Sequence, residues 1–138
     1  ISEHLCCDWM TGTCSDHHPA IDATSLTANM ANYSAIANDF GFEQVFAKQI
    51  RMVGKAGDVL VAISSSGNSP NIVLGVEAAR AQGLRTIGLS GFSGGALRRS
   101  VDVSLHVDVA NYGVVEDAHQ AVIHVLAQFI ASRRDRMA

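Results

Sequence analysis

The sequence predicts an α/β fold, a three-layer α/β/α domain with a mainly parallel central sheet. Segments with helical periodicity alternate with short apolar segments along most of the chain, which is typical of a parallel sheet covered by helices. The run Val59-Leu-Val-Ala-Ile63 has the length and the Val/Ile content of a buried strand. Residues 116–134 carry apolar side chains at helical spacing, so a long amphipathic helix is expected there.

The individual elements follow from periodicity and from turn signals. Ile1, Leu5, Trp9 and Met10 form one apolar helical face with no Ser, Thr or Asp cap before it, so a first helix that begins before residue 1 is expected. Asn38-Asp-Phe-Gly41 predicts a turn, because these residue types tolerate turn conformations. The other elements are expected as strands at 20–24, 59–63, 85–89 and 101–109, and as helices at 27–37, 42–53, 72–81 and 116–134. The sequence shows neither a repeat nor a linker, so a single domain spanning residues 1–138 is expected.

The composition excludes several classes of protein. Of the 138 residues, 48% are hydrophobic and 17% are charged, with 12 Gly and only 2 Pro, which excludes disordered and low-complexity chains. The net charge of -3 provides no basic surface, so direct binding of nucleic acid is not expected. Apolar stretches stay far below the roughly 20 residues that span a bilayer. No signal-peptide pattern opens the sequence either. A cytoplasmic protein that does not enter a membrane is therefore expected.

Three cysteines, Cys6, Cys7 and Cys14, lie close together in the sequence. An odd number of crowded cysteines is a poor disulfide framework, so reduced thiols are expected. With His17 and His18 these cysteines offer zinc ligands, but adjacent cysteines chelate poorly together and no CxxC spacing occurs. The spacing therefore disfavours a structural zinc site.

The strongest local signal is Ile63-Ser-Ser-Ser-Gly-Asn-Ser-Pro-Asn71, between the buried strand and the next helix. Ser69 suits the N-cap position and Pro70 the first helical position. Serine hydroxyls, a small glycine and the positive end of a helix dipole can bind a phosphate dianion without a lysine. Neither GxxxxGK[ST] nor GxGxxG occurs, so a smaller phosphate ester is expected rather than a nucleotide cofactor. The alternative is a polar turn with a well-made helix cap.

Four segments together resemble a known family. They are Asp58-Val-Leu-Val-Ala-Ile-Ser-Ser-Ser-Gly-Asn-Ser-Pro-Asn71, Gly83-Leu-Arg-Thr-Ile-Gly-Leu-Ser-Gly91, Asn38-Asp-Phe-Gly-Phe42 and His119-Gln-Ala-Val-Ile-His124. The chain resembles the sugar isomerase (SIS) domain family, and within it the phosphoheptose isomerase branch. The serine segment marks SIS domains in general, whereas its combination with the last two segments is typical of that branch.

The resemblance implies an activity and an assembly. Members of the branch convert sedoheptulose 7-phosphate into an aldoheptose phosphate through an enediolate, often with zinc. They are usually homotetramers with active sites at subunit interfaces, so a homo-oligomer, dimer or tetramer, is implied. Relatives that bind the replication initiator instead of isomerising sugars share the fold. The family's first helix and first Gly/Ser-rich loop would precede residue 1, and we expect that this chain lacks them.

The resemblance also implies a substrate-binding set. The serines of the loop match phosphate-binding positions, and the acidic residue of the Asn-Asp-Phe-Gly-Phe segment matches one near the substrate. The asparagine of the loop is assigned to the same set. The implied substrate-binding residues are Ser64, Ser65, Ser66, Asn68, Ser69 and Asp39.

Three residues are implied for catalysis and metal binding. His124 matches the catalytic and metal-binding histidine of the branch. His4 stands where the isomerases carry a glutamate in the first helix, and Glu116 stands where they carry a glutamine. We expect these exchanges to keep one imidazole and one carboxylate in the set. Eight helical residues separate Glu116 from His124 by about 12 Å along the axis. Both therefore reach one metal only if their side chains lean together or different subunits contribute.

The same residues also have interpretations without catalysis. Glu116 at the start of a helix is favoured by the helix dipole alone. Asn38 and Asp39 are good turn residues, and His119 suits a packing contact. At the level of function, the alternative to an isomerase is a non-catalytic SIS module that binds a sugar phosphate or a protein partner. The changed acidic positions favour that alternative modestly.

Overall fold

The computed structural model describes residues 1–135. It divides into two compact units: a helical unit, formed by residues 1–28 with α6 from Asp117 onward, and a sheet unit, formed by residues 29–116. The elements are α1 (Ser2–Gly12), α2 (Met30–Phe40), a 3-10 helix (Phe42–Gln44), α3 (Val45–Val53), β1 (Val59–Ser64), α4 (Pro70–Ala81), β2 (Arg85–Ser90), α5 (Gly95–Ser100), β3 (Val103–His106) and α6 (Tyr112–Asp135).

The sheet unit is built on three parallel strands in the order β1-β2-β3. Helix α4 connects β1 to β2 and packs on both strands, and α5 connects β2 to β3 and packs on that pair. A cluster of Ala62, Val76 and Leu97 is buried between these elements. The predicted α/β fold with a parallel central sheet is confirmed.

The register brings three polar residues to one edge of the sheet. Ser64 is paired with Ser90, and Ser90 is paired with His106, each at the carboxyl end of its strand. Paired residues of neighbouring strands point to the same face of a sheet. The carboxyl edge of this sheet is therefore polar across its described width, which is where ligands bind in open parallel α/β sheets.

The helical unit contains α1 and most of α6. Leu5 of α1 is buried, as are Ile123 and Ala127 of α6. The guanidinium of Arg134 donates to the carbonyls of Thr13 and Pro19, which ties the segment after α1 to α6. Among the described helices, none combines the length and the apolar composition needed to cross a membrane.

Four sequence predictions are corrected by the structure. The strand predicted at 20–24 is wrong, because Ile21 N–H donates to the Thr13 hydroxyl rather than to a neighbouring strand. The turn predicted at 38–41 begins later, since α2 continues through Phe40 and ends at Gly41, which has φ +94. Helix α5 was not predicted, because it is only six residues long and begins at Gly95, directly after Gly94. Helix α6 begins at Tyr112 rather than at residue 116.

Candidate active site

The serine loop, residues 64–69, joins β1 to the first turn of α4. The Ser64 hydroxyl is buried, accepts from Gly67 N–H at 3.2 Å and donates to the Ser69 hydroxyl at 3.2 Å. Gly67 N–H also donates to the Ser64 carbonyl at 3.0 Å, and the glycine has φ +69. Ser64 therefore shapes the loop from inside, and it leaves the hydroxyl proton of Ser69 available for a ligand.

The start of α4 lies where the sequence places it. Ser69 is the N-cap residue and Pro70 is the first helical residue. The Ser69 hydroxyl makes no capping hydrogen bond of its own, so it is not used by the helix. The first N–H groups of a helix have no carbonyl partner within the helix and carry a partial positive charge. The turn between β1 and α4 thus presents hydroxyl and amide donors with no side-chain cation among them.

The carboxyl edge of the sheet carries a second polar pair that sequence reasoning missed. Ser90 is fully buried at the end of β2, and its hydroxyl lies 3.2 Å from His106 Nδ1 at the end of β3. His106 Nε2 is 3.9 Å from a carboxylate oxygen of Asp108. Only the pairing of β2 with β3 aligns Ser90 with His106, so no local spacing in the sequence reveals the pair.

Two histidines and one aspartate form a compact cluster in the helical unit. His4 and Asp8 lie one turn apart on α1, with His4 Nε2 at 3.4 Å from Asp8 Oδ1. His124 Nδ1 of α6 lies 2.6 Å from Asp8 Oδ2. The His4 and His124 rings meet edge to face, with centroids 4.8 Å apart. One potential ligand atom from each of these residues lies within 4.8 Å of the others.

The hydrogen bonds around His124 define the state of its ring. An ionised carboxylate only accepts, so Nδ1 carries the proton that is donated to Asp8. The Gln120 amide nitrogen lies 3.1 Å from His124 Nε2 and donates to that nitrogen. The Nε2 lone pair therefore faces away from Asp8, and it is available to take a proton when Gln120 is displaced. A cavity of about 230 Å³ adjoins Asp8 and His124. It is also lined by Thr11, Gln128 and Ala131.

The cluster fits a divalent metal ion in its donor chemistry. Two imidazole nitrogens and one carboxylate oxygen are ligands that zinc and iron accept. The cysteines do not join it: within residues 1–135, the group of three or more potential ligands consists of His4, Asp8 and His124. Burial, with the nearby Glu3 carboxylate, raises the pKa of the Cys6 thiol and keeps it protonated, which disfavours metal binding by Cys6.

The structure brings some of the sequence-derived candidates together and leaves others apart. Ser64, Ser65, Ser66, Asn68 and Ser69 share the serine loop, and His4 is joined to His124 through Asp8. Asp8 was missed, although its spacing of four residues from His4 places the two on one helix face. Glu116 is exposed and lies outside the cluster of three. The helix-dipole interpretation of Glu116 is wrong, since no acidic residue lies in the first turn of α6.

The structure also places two further candidates. Asp39 is exposed near the end of α2, and its carboxylate accepts from the Asn38 amide at 2.9 Å. His119 is buried in α6, which agrees with its interpretation as a packing residue. The substrate-binding role of Asp39 stays a prediction.

Comparison with known proteins decides the family. The sequence profile of the SIS domain matches residues 2–91, which is more than half of the chain. This chain belongs to the SIS domain family. The predicted family is confirmed, and the serine loop of this SIS domain lies within the matched residues.

The SIS domain is similar to proteins named phosphoheptose isomerase. It is 40% identical over 127 residues to the phosphoheptose isomerase of Nitratidesulfovibrio vulgaris, covering 92% of this chain and 61% of the relative. It is 40% identical over 122 residues to that of Klebsiella pneumoniae, covering 88% and 63%. The chain thus spans less than two thirds of the length of these curated relatives.

Solved structures give the same relationship. A phosphoheptose isomerase from Francisella tularensis matches with a TM-score of 0.88 at 32% identity, covering 94% of this chain and 69% of that one. Phosphoheptose isomerase from Neisseria gonorrhoeae matches with a TM-score of 0.87 at 36% identity, covering 95% and 69%.

Proposed function

We propose that this SIS domain is an aldose–ketose isomerase that converts sedoheptulose 7-phosphate into an aldoheptose 7-phosphate through an enediolate. The His4, Asp8 and His124 cluster carries the proposal, because a serine loop alone suits a binding module equally well. An imidazole hydrogen-bonded to a carboxylate is a group that moves protons near neutral pH. The names of the relatives support the same substrate.

The reaction divides between the two sites described above. Ser65, Ser66 and Ser69 with the first N–H groups of α4 bind the phosphate, while Ser64 shapes the loop. His124 takes the proton from the carbon next to the carbonyl at Nε2 and returns it to the former carbonyl carbon, while the hydroxyl proton of the first carbon passes to the former carbonyl oxygen. Asp8 holds the ring by accepting from Nδ1 and stabilises the imidazolium that forms.

The other candidate residues enter as parts of this proposal. We assign Asp39 to the hydroxyl groups of the sugar, since it is an exposed acceptor in the Asn-Asp-Phe-Gly-Phe segment. Glu116 is exposed on α6 and is a second proton acceptor for the same reaction. A nucleotide cofactor forms no part of the proposal. The cytoplasmic location expected from the sequence stays a prediction.

We propose that zinc, or a similar divalent cation, binds at His4, Asp8 and His124. Such a cation would polarise the carbonyl and stabilise negative charge on the enediolate oxygen. Imidazole and carboxylate ligands bind it in their deprotonated forms, so its binding competes with protons. His124 would bind the cation through Nδ1, in place of the hydrogen bond to Asp8, and its Nε2 would stay available for proton transfer. In this proposal Asp8 supplies the carboxylate ligand, a role that the resemblance implies for Glu116.

We propose that the chain forms a homo-oligomer, supported by a second apolar face on α6. The face defined by Ala118, Ala121, Val125 and Phe129 carries no charge, and Val125 and Phe129 are 63% and 55% exposed. A helix that is apolar on two sides is typically buried on both. Ala118 and Ala121 have small side chains, so the same face of a second copy can approach α6 closely.

The experiment that tests the isomerase proposal is proton and phosphorus NMR of the chain with sedoheptulose 7-phosphate in D2O. An aldose phosphate with deuterium at the carbon next to the carbonyl is expected, because the enediolate exchanges its proton with solvent. Heat-denatured protein is the control for uncatalysed conversion. Broadening of the ligand lines without conversion would contradict the isomerase and support the non-catalytic binding module.

The cation proposal predicts a loss of binding in Asp8→Asn. The amide removes the negative charge and one strong ligand, so we expect zinc affinity to fall by about 10- to 100-fold, as for other changes around metal sites. Calorimetric titration with zinc alone measures this without any assay of activity. Asp22→Asn, an exposed aspartate outside the cluster, is the matched control. Equal affinity of Asp8→Asn and the wild type would overturn the assignment of the site.

A further inference from the structure

The serine loop is held by the segment that follows β2, residues 91–97, which we call the supporting segment. Gly91 N–H donates to the Ser65 carbonyl at 2.8 Å, and Leu97 N–H donates to the Gly67 carbonyl at 2.9 Å. A third hydrogen bond uses a side chain: Asn68 Oδ1 accepts from Ala96 N–H at 3.0 Å. Every residue from 65 to 68 is therefore next to, or part of, a contact with the supporting segment.

Asn68 completes the start of α5. The N-cap residue of α5 is Gly94, which has no side chain to accept from the first N–H groups of the helix. Asn68 Oδ1 supplies that acceptor from outside the helix. At its other end, Asn68 Nδ2 donates to the Ser66 carbonyl at 3.3 Å, and Asn68 N–H donates to the Ser66 hydroxyl at 3.2 Å. Asn68 therefore joins Ser66 to α5.

Glycines set the spacing between the serine loop and the supporting segment. A Cβ at Gly67 would overlap the carbonyl of Gly94. A Cβ at Gly95 would lie 2.5 Å from Asn68 Oδ1. Gly67 and Gly95 also have φ +69 and +55, in the left-handed region. Only residues without a side chain allow the two backbones to approach this closely, so the Asn68 contact depends on Gly95.

We propose that Asn68 is a positioning residue for phosphate binding and acts through Ser66, not by contact with the substrate. Both ends of its amide are occupied within the protein, by Ala96 and by Ser66. The hydrogen bond from Asn68 N–H leaves the proton of the Ser66 hydroxyl directed to another acceptor, and the proposed acceptor is the phosphate. This inference rests on the proposed function, since it concerns the loop to which phosphate binding is assigned.

The test compares Asn68→Ala and Gly95→Ala, which break one contact from its two sides. Both variants are expected to raise the Kd for inorganic phosphate and the KM for sedoheptulose 7-phosphate about tenfold, the cost of one misplaced hydrogen bond. The kcat per folded molecule and the zinc affinity are expected to stay unchanged. Loss of folded protein alone would lower the apparent kcat and leave KM unchanged. A raised KM at unchanged kcat therefore distinguishes a positioning role from destabilisation of the fold.

The double variant and a glycine control sharpen the test. A Cβ at Gly95 also lies 2.6 Å from the carbonyl carbon of Gly67, so Gly95→Ala disturbs the loop more than Asn68→Ala does. The double variant is therefore expected to be no worse than Gly95→Ala alone, because both substitutions remove the Asn68 contact. In the ligand-free protein, the amide NMR signals of Ser66 and Ala96 are expected to shift in Asn68→Ala. Gly57→Ala is the control, since Gly57 has φ +93 and nothing within 4 Å of its Cβ position. It reports the strain of the left-handed region without a clash.

The outcomes distinguish this inference from the proposed function. Additive losses in the double variant, with unchanged ligand-free signals of Ser66, would show that Asn68 contacts the ligand and would overturn the inference. Phosphate binding by the wild type that neither variant weakens would overturn it as well, and would leave the phosphate site standing. Failure of the wild type to bind either phosphate probe would overturn the phosphate site together with the inference.

Discussion

His124→Ala is expected to reduce kcat for sedoheptulose 7-phosphate by about 10²- to 10⁴-fold, the contribution of a positioned acid–base group. The His124 imidazole bonds to Asp8 through Nδ1, and its Nε2 accepts from the Gln120 amide, so that nitrogen can take a proton when Gln120 is displaced. Its loss also removes a proposed cation ligand. The phosphate affinity is expected to remain close to that of the wild type, because His124 makes no hydrogen bond to the serine loop.

Steady-state kinetics with parallel titrations of inorganic phosphate check this expectation. His17→Ala is the matched control, since His17 is exposed and lies outside the cluster. Turnover by His124→Ala at the rate of the His17→Ala control would assign the proton transfer to another residue, and Glu116 would be examined next.

The double variant Ser66→Ala with Ser69→Ala is expected to weaken binding of the phosphosugar by roughly 10²- to 10⁴-fold. In the proposed phosphate site each hydroxyl donates to a charged group, and one such hydrogen bond contributes about 1.5–3 kcal/mol. The fold is expected to survive, because the buried hydroxyl that shapes the loop belongs to Ser64 and is retained. Calorimetry with sedoheptulose 7-phosphate measures the affinity.

The control for this double variant is Ser132→Ala, an exposed serine whose hydroxyl donates to the Phe129 carbonyl on α6. Thermal unfolding of both proteins shows whether any loss reflects binding or folding. Affinity of the double variant equal to that of Ser132→Ala would remove the serine loop as the phosphate site, whatever the activity of the protein.

Local signals predicted the part of the fold that depends on local chemistry. β1 and the start of α4 follow from an apolar run, a serine N-cap position and a proline, all within a dozen residues. The structure places α4 at Pro70–Ala81 as those signals indicate. Helix α5 has no such signals. Its N-cap residue, Gly94, has no side chain, and the acceptor for Ala96 N–H is Asn68 Oδ1, from a distant part of the chain.

The candidate site was only partly predictable for the same reason. The serine loop is continuous in sequence, so its residues were found together. The pair of Ser90 with His106 depends on strand register, and the role of Asp8 depends on His124 of another helix. The strand predicted at 20–24 was wrong because a short alternation of apolar and polar residues says nothing about whether a neighbouring strand exists.

The bond between Asp8 and His124 joins residues 116 positions apart, whereas the hydroxyl contact between Ser64 and Ser69 spans 5. Closing a long loop costs more conformational entropy than closing a short one. Contacts between residues far apart in the sequence therefore form late in folding. The cluster of His4, Asp8 and His124 therefore forms only after α1 has met α6, whereas the serine loop needs β1, α4 and the supporting segment after β2. Any cation that binds His4, Asp8 and His124 adds its binding free energy to the stability of the contact between α1 and α6. For the proposed cation site, this means that a higher concentration of free metal would keep α1 packed against α6 for longer.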